Sequence, residues 1–419
     1  MMRVVFANRY FYPDQSATSR VVSSVAFGLA RRGFDVIVMT SRDIHNRRDI
    51  VLPAEETVFG VTIRRLSTTR FGRQTLLGRG FDYLMFHLLS FFWMMAHISH
   101  DDIAVICTDP PLLSVTSGVA LRLKNAVMVN WIMDLFPEAA IELGYFTRGN
   151  VLARLTLAAR NASLRMRGLC ICSTDTMAEY LTRQGIAEGR VIVSHHWSDG
   201  AEIRPVDPAE NGLRSAWGLD DAFVVGYSGN FGRAHDFETT LGAAERLRAD
   251  ETIRFLMIGG GHHHAAVTAK ARQADLRTML FQPLQPIDRL SESLGAADVH
   301  LVSLLPQLEH CIIPSKFYGI LAAGRPTIFI GAKDGEVARV IERAGCGLHV
   351  ELGDADGLVR AIRYLRDNPA ICRAMGARAR ALLVSDYSRD GAIEGWCKRI
   401  ADLAQAPYPS TPATEGLAP

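Results

Sequence analysis

Long apolar runs are missing from this 419-residue chain. No stretch reaches the roughly 18 uncharged apolar residues that a membrane-spanning helix needs, which sets aside an integral membrane protein. The start, Met1-Met2-Arg3-Val4-Val5-Phe6-Ala7-Asn8, reads as a short strand followed at once by polar residues and lacks the apolar centre of a signal peptide. Cysteine is sparse: of the seven, only Cys170 and Cys172 are neighbours, alternating along a strand so that both can face one core side. Neither a disulfide framework nor a zinc cluster fits that spacing, and the expectation is a reduced, cytosolic protein. Charge of one sign is missing too. The net charge is +2, with 22 Lys/Arg against 17 Asp/Glu through residue 200 and 24 against 27 after it, too weak a bias for a nucleic-acid partner. Glycine is absent from the first strand-to-helix turn, Asn8 to Ser19, where a dinucleotide-binding fold needs three glycines to admit the pyrophosphate. That sets aside an NAD enzyme.

What is present is a repeated alternation of strands and helices. Strands are predicted at Arg3 to Asn8, Val36 to Thr40, Ile103 to Cys107, Ala126 to Trp131, Leu169 to Ser173 and Val191 to Ser194, with a helix near Ser16 to Arg32. A second set starts near Phe223 and continues through Phe255 to Gly259, Met279 to Phe281, Val299 to Val302, Thr327 to Ile330 and Gly347 to Val350. The pattern predicts an α/β protein of two Rossmann-like, doubly wound domains facing a cleft. The expected divisions are a first domain at 1–203, a second at 204–385, a helix at 386–406 that can pack across either domain, the first included, and a disordered tail at 407–419.

The most informative segment is Pro314-Ser315-Lys316-Phe317-Tyr318-Gly319-Ile320-Leu321-Ala322-Ala323-Gly324-Arg325-Pro326, followed by the apolar Thr327 to Ile330. Pro314 and Ser315 suit a helix start, with the serine hydroxyl on an orphan amide, and Gly324 suits its stop. Lys316 then lies in the first turn, where amides and dipole favour an anion; the alternative is a surface lysine on an ordinary helix. A second glycine-rich turn, Tyr227-Ser228-Gly229-Asn230-Phe231-Gly232-Arg233, follows another apolar strand and adds an arginine. In the glycine-free first turn, Ser16, Ala17 and Thr18 are small, and one hydroxyl is expected to cap the helix; they either face a donor sugar or merely start that helix. Asp134 ends a predicted strand, at the edge where open α/β sheets bind ligands; it fits an acceptor base or a cap for Pro137-Glu138. The run His262-His263-His264 cannot aim three consecutive rings at one ion and reads as a solvated loop. Tyr83 to Ile98 is apolar almost all round and follows Arg64, Arg65, Arg70, Arg73 and Arg79. It fits a buried helix or a contact with a membrane surface through a Leu/Phe/Trp/Met face.

Taken in order, these segments resemble the GT-B glycosyltransferases of family 4, retaining enzymes with two Rossmann-like domains. The resemblance runs from Arg3 to about Leu403. It is carried by Tyr12-Pro13, Leu29 to Val36, Thr108-Asp109-Pro110-Pro111, Asp134-Leu135-Phe136-Pro137-Glu138, His196-Trp197-Ser198-Asp199, Tyr227 to Asn230, Gly259-Gly260-Gly261, Ala297-Asp298 and Pro314 to Gly331. The Asp-Leu-Phe-Pro-Glu and Pro-Ser-Lys-Phe-Tyr-Gly elements look most like the branch that builds bacterial surface polysaccharides, including N-acetyl-fucosaminyl transferases. One departure stands out. The family's two glutamates, eight positions apart, fall on Cys311 and Gly319 here, so neither role carries over; Glu309, on the same loop, is the substitute candidate for the donor sugar or ribose, or else a solvated loop residue.

The resemblance implies transfer of an N-acetylated or deoxy hexose from a nucleotide donor, expected to be uridine-linked, onto a polyprenyl-diphosphate-linked saccharide at the inner face of the cytoplasmic membrane. No cofactor and no obligatory metal are expected. The residues assigned to chemistry are Arg233, Lys316, Asp134 and Glu309. Those assigned to the donor are Ser16, Ala17, Thr18, Gly229, Asn230, Gly232, Gln282, Pro283, Ser315, Tyr318 and Gly319, with amides near Gly229, Gly232 and Tyr318 as additional donors of hydrogen bonds. Two alternatives stay open: a nucleotide-sugar epimerase on the same scaffold, and a noncatalytic sugar-nucleotide-binding protein, the latter suggested by Cys311 and Gly319.

Overall fold

The structure, a computed structural model, describes residues 3–45, 47, 49–71, 76–147 and 149–405; the expected disordered tail and Arg73 lie outside them. Two sheets divide the strands. The first joins β1 (Arg3–Ala7), β2 (Asp35–Ser41), β3 (Glu55–Val58), β4 (Val61–Leu66), β5 (Ile103–Cys107), β6 (Val127–Ile132), β7 (Gly168–Cys172) and β8 (Val191–Val193) in the order β3-β4-β2-β1-β5-β6-β7-β8. The second joins β9 (Phe223–Asn230), β10 (Ile253–Gly260), β11 (Met279–Gln282), β12 (Val299–Ser303), β13 (Thr327–Ile330) and β14 (Gly347–Val350) in the order β11-β10-β9-β12-β13-β14. Every pairing is parallel except that of β3 with β4.

Helices cover both faces of each sheet, which is why β5, β6, β12 and β13 are buried at every position and read as near-continuous apolar runs, broken by Asn130 in β6 and by His300 and Ser303 in β12. The β3–β4 hairpin was not expected. It closes on Phe59 and Gly60, both at positive φ (47° and 82°), a turn that usually announces itself with Asn-Gly. Its strands carry Glu55, Glu56, Arg64 and Arg65 in place of an apolar run.

Strand order reverses beside β1 in the first sheet and between β9 and β12 in the second, and crevices for ligands open at such switch points. The halves meet along these carboxyl ends. The Leu135 amide donates to the Cys311 carbonyl at 2.9 Å, the rings of Tyr180 and His310 lie 4.6 Å apart, and Thr176 Oγ1 donates to Glu336 at 3.4 Å. Helix Arg389–Gln405 returns to the first half. Its Trp396 packs 4.4 Å from Trp131, and Ile393 fills the space a side chain at Gly28 would occupy, 2.5 Å from that Cβ position. All seven cysteines are free and buried, and Cys170 and Cys172 share one core cluster.

Candidate functional site

The crevice at the second switch point is built around Lys316. The amine donates to the Tyr227 hydroxyl at 2.6 Å and lies 4.0 Å above the centre of that ring. Tyr227 in turn donates to the Asn230 carbonyl at 2.7 Å. On the other side His235 Nε2 lies 3.2 Å from the amine, and its Nδ1 is 2.6 Å from the Ser303 carbonyl. A carbonyl only accepts, so Nδ1 carries the proton and Nε2 offers its lone pair to Lys316. Burial, reinforced by Lys316, pushes the His235 pKa down to about 3, so the ring stays neutral. Burial alone brings Lys316 down to about 7. The ammonium therefore has neutral partners in Tyr227 and His235 and is held ready for an anion.

Glycines open the wall opposite. Gly229 and Gly259 pair across β9 and β10 at φ of +139° and +138°, and a Cβ on Gly259 would stand 1.9 Å from the Gly229 carbonyl oxygen. A Cβ on Gly229 would stand 3.3 Å from Lys316 Cε, so a side chain there would crowd the amine. At Gly261 a Cβ would lie 2.1 Å from Asn230 Oδ1. These positions exclude side chains because the two strand ends and the lysine converge on one space. Gly232 belongs to the same turn. Arg233 is exposed beside it, its guanidinium 5.2 Å from the centre of Tyr145, a residue of the first half. The arginine thus stands where the halves face one another.

Ser315 begins helix Lys316–Ala322 but its hydroxyl caps nothing. The Tyr318 amide is engaged by the Ser315 carbonyl at 3.2 Å and is not available to a phosphate, while its ring is buried against Tyr387. Gly319 points its missing side chain at Leu294 and Ile203, 3.5 and 3.9 Å from a Cβ there. Glu309 is buried and turned toward helix Glu336–Ala344: Oε2 accepts from the Glu336 amide at 3.2 Å, and Oε1 has no partner. Burial first, then the neighbouring acids Glu336 and Asp334, raise its pKa to about 7. Gln282 ends β11, and the Pro283 carbonyl accepts from the Gln285 side chain at 2.9 Å.

On the facing half, helix Ala17–Arg31 starts at Ser16 without a hydroxyl cap. Asp14 holds the turn before it: its carboxylate accepts from the Ser16 amide at 2.9 Å and the His45 amide at 2.5 Å. Ser16, Ala17 and Thr18 stand at the first switch point, after β1. Asp134, beyond the end of β6, is open to the cleft yet crowded by protein, which together with Asp109 raises its pKa to about 6. It lines a cavity of about 30 Å³ with Thr108, Leu113, Asn130 and Arg160. Arg160, buried and paired with Glu138, leaves Nε and Nη1 without partners, and Asn130 leaves Oδ1 so. The sequence reading missed Tyr227, His235 and Arg160 as site residues, since nothing local marks a contact made 81 or 89 residues away.

One cluster of possible metal ligands, Asp175, His195 and Glu336, brings its atoms within 4.8 Å of one another across the halves. Glu336 is already bonded to Arg339 at 3.2 Å and to Thr176. Its geometry is that of an interdomain clasp.

Two open parallel sheets with opposed switch points, one of them lined by a desolvated lysine and side-chain-free turns, define a GT-B scaffold. Residues 222–368 match the family model described as "Glycosyl transferases group 1". The chain is 30% identical over 285 residues to WcaI of Escherichia coli K12, a glycosyl transferase assigned to colanic acid biosynthesis, covering 66% of this chain and 70% of the relative. With WbjE of Pseudomonas aeruginosa, assigned as a glycosyltransferase, identity is 24% over 348 residues, 80% and 83% of the two chains. HepE of Anabaena, solved with UDP and glucose, superposes with a TM-score of 0.73 at 11% identity, over 96% of this chain and all of that one. The chain belongs to the group 1 glycosyltransferase family.

Proposed function

We propose that this glycosyltransferase moves a sugar, with retention, from a uridine diphosphate donor to a polyprenyl-diphosphate-linked saccharide in surface-polysaccharide synthesis. The observation that carries the donor reading is Lys316, a desolvated amine beside a turn cleared by Gly229, Gly259 and Gly261. When the bond from the sugar to the diphosphate breaks, its electron pair stays on the departing phosphate oxygen. Preorganised cations at that point lower the barrier more than they favour the intact donor. Lys316 meets the charge from within, and Arg233, exposed at the mouth, supplies a bidentate contact. Asp134, with its pKa raised to about 6, takes the acceptor hydroxyl's proton at neutral pH. The likeness to WcaI supports an envelope polysaccharide as product, and the UDP and glucose bound by HepE support the nucleotide.

Gly319 sustains a second reading, a sugar-nucleotide-binding protein without turnover, because the family's glutamate is absent there. A thermal-shift panel of nucleotides and nucleotide sugars, with and without magnesium, tests the donor reading. A ligand of the folded state adds about 2.7 kcal/mol of stability at a hundredfold excess over its dissociation constant. Stabilisation by UDP and one UDP-sugar is expected; no shift with any uridine nucleotide contradicts it. Stabilisation without sugar release in the presence of lipid-linked saccharides favours the second reading.

A further inference from the structure

Helix Leu76–His97 carries apolar side chains on its solvent face as well as on its buried one. Toward the interior it turns Asp82, Phe86, Ser90 and Met94, all buried. Toward solvent it turns Leu77, Phe81, Leu84, Leu88 and Phe92, which are 46–79% exposed. Their spacing of three and four residues makes one unbroken stripe, about 22 Å long at 1.5 Å per residue. A water-facing helix normally keeps its outer face polar.

The stripe continues onto two neighbouring helices. His87 Nδ1 lies 2.8 Å from Thr116 Oγ1 and its Nε2 3.1 Å from the Pro111 carbonyl, which ties the first helix to Leu113–Leu123. Ser114 and Ser163 hydroxyls, 2.8 Å apart, tie that helix to Val151–Leu164. The second helix exposes Val119 and Leu123; the third exposes Val151, Leu152 and Leu155. Charge on these three helices has one sign at the surface. Their only acid is Asp82, 1% exposed and 3.6 Å from Arg9, whereas Arg122 and Arg154 are exposed and Arg79 partly so.

We infer that this three-helix face rests on a bilayer containing anionic phospholipid, its apolar stripe among the acyl chains and its arginines at the headgroups. A large apolar surface rimmed by arginine, with no exposed carboxylate on its helices, complements such a membrane in both respects. The contact is in the plane of the membrane, since no described helix is long and apolar enough to cross it. Leu113, buried where the second helix begins, also lines the cavity that holds Asp134, so that helix runs from the cavity to the exposed Val119 and Leu123. This inference goes beyond the proposed reaction and stands without it.

Co-sedimentation of the full chain with phosphatidylcholine vesicles, with and without 30% phosphatidylglycerol, is the test. The expected result is binding that needs phosphatidylglycerol, weakens with salt, and falls by about tenfold in Phe81→Ser/Leu88→Ser and in Arg122→Glu/Arg154→Glu. All four residues are exposed, so the thermal midpoint should hold; circular dichroism checks this. Should a variant unfold, quenching by brominated phospholipid decides, because Phe92→Trp places an indole on the outermost stripe and should be quenched more than the wild type. Equal sedimentation with neutral vesicles, no sedimentation, or a concentration-dependent dimer without vesicle binding overturns the inference, the last assigning the face to a second copy.

Discussion

Lys316 and Tyr227 meet in two ways at once: the amine donates to the phenol oxygen at 2.6 Å while standing 4.0 Å over the ring centre. One aromatic ring thus both positions the cation and shields it from water, and burial brings its pKa to about 7. The cost of desolvating that charge is offset only when an anion arrives.

Replacing Lys316 by Ala should reduce turnover by about 10²–10³, equivalent to about 2.7–4 kcal/mol of transition-state stabilisation. Stability should stay level or rise, because a desolvated amine is removed. Steady-state rates and a urea titration measure the two effects; an unaltered rate takes Lys316 out of the reaction.

Affinity for a nucleotide sugar should depend on pH. The diphosphate diester has fixed charge and prefers the protonated amine, so binding strengthens as pH falls through about 7 and weakens above it. Calorimetry at pH 6 and pH 8 should show tighter binding at the lower value, with proton uptake at the higher. In Lys316→Gln the slope should flatten; a slope that persists assigns the pH dependence to another group.

Asp134 makes a separate statement. A base with its pKa raised to about 6 is ionised above that value, so kcat/KM should fall as pH drops below 6. In Asp134→Asn the rate should be low and this limb should be gone. A variant that keeps the limb leaves Asp134 as a helix-start residue only.

Gly229→Ala tests the cleared turn. Alanine at φ +139° costs of order 1–3 kcal/mol and brings a methyl group 3.3 Å from Lys316 Cε. Nucleotide affinity should drop by more than the loss in stability accounts for, read by calorimetry beside thermal melting.

Trp396→Ala should cost about 3–5 kcal/mol, because its ring is wholly buried against Trp131 and Phe6. Denaturant unfolding should show the loss, and the first half should be the part that loosens under hydrogen exchange. Loss confined to the second half contradicts the packing of helix Arg389–Gln405 on the first sheet.

Much of the fold was legible because buried parallel strands are near-continuous apolar runs: β5, β6, β12 and β13 declare themselves despite Asn130 and His300. The edge hairpin β3–β4 did not, since its charged residues and Phe59-Gly60 turn carry neither signal. At the site, chain order revealed the glycine-rich turn and Lys316, while the phenol and imidazole that hold Lys316 come from folding. No hydroxyl caps the first helix; Asp14 instead accepts from the Ser16 amide just before it and from the His45 amide, tying the turn to the loop after the second strand, a contact that chain order does not announce. Helix Leu76–His97 had apolar residues on every side, so its periodicity could not tell which face was outward. Phe91 and Trp93, drawn into the expected membrane face by composition, are partly buried against the core; Phe81, Leu84, Leu88 and Phe92 stand outermost.

The most direct test of the account is a calorimetric titration of UDP into the wild-type chain and into Lys316→Gln at pH 7, without added metal. The account predicts saturable one-to-one binding to the wild type and a loss of about tenfold or more in the variant, each 1.4 kcal/mol being a factor of ten. Equal affinity in both proteins, or no binding to the wild type, contradicts the assignment of the Gly229–Lys316 crevice to the donor diphosphate.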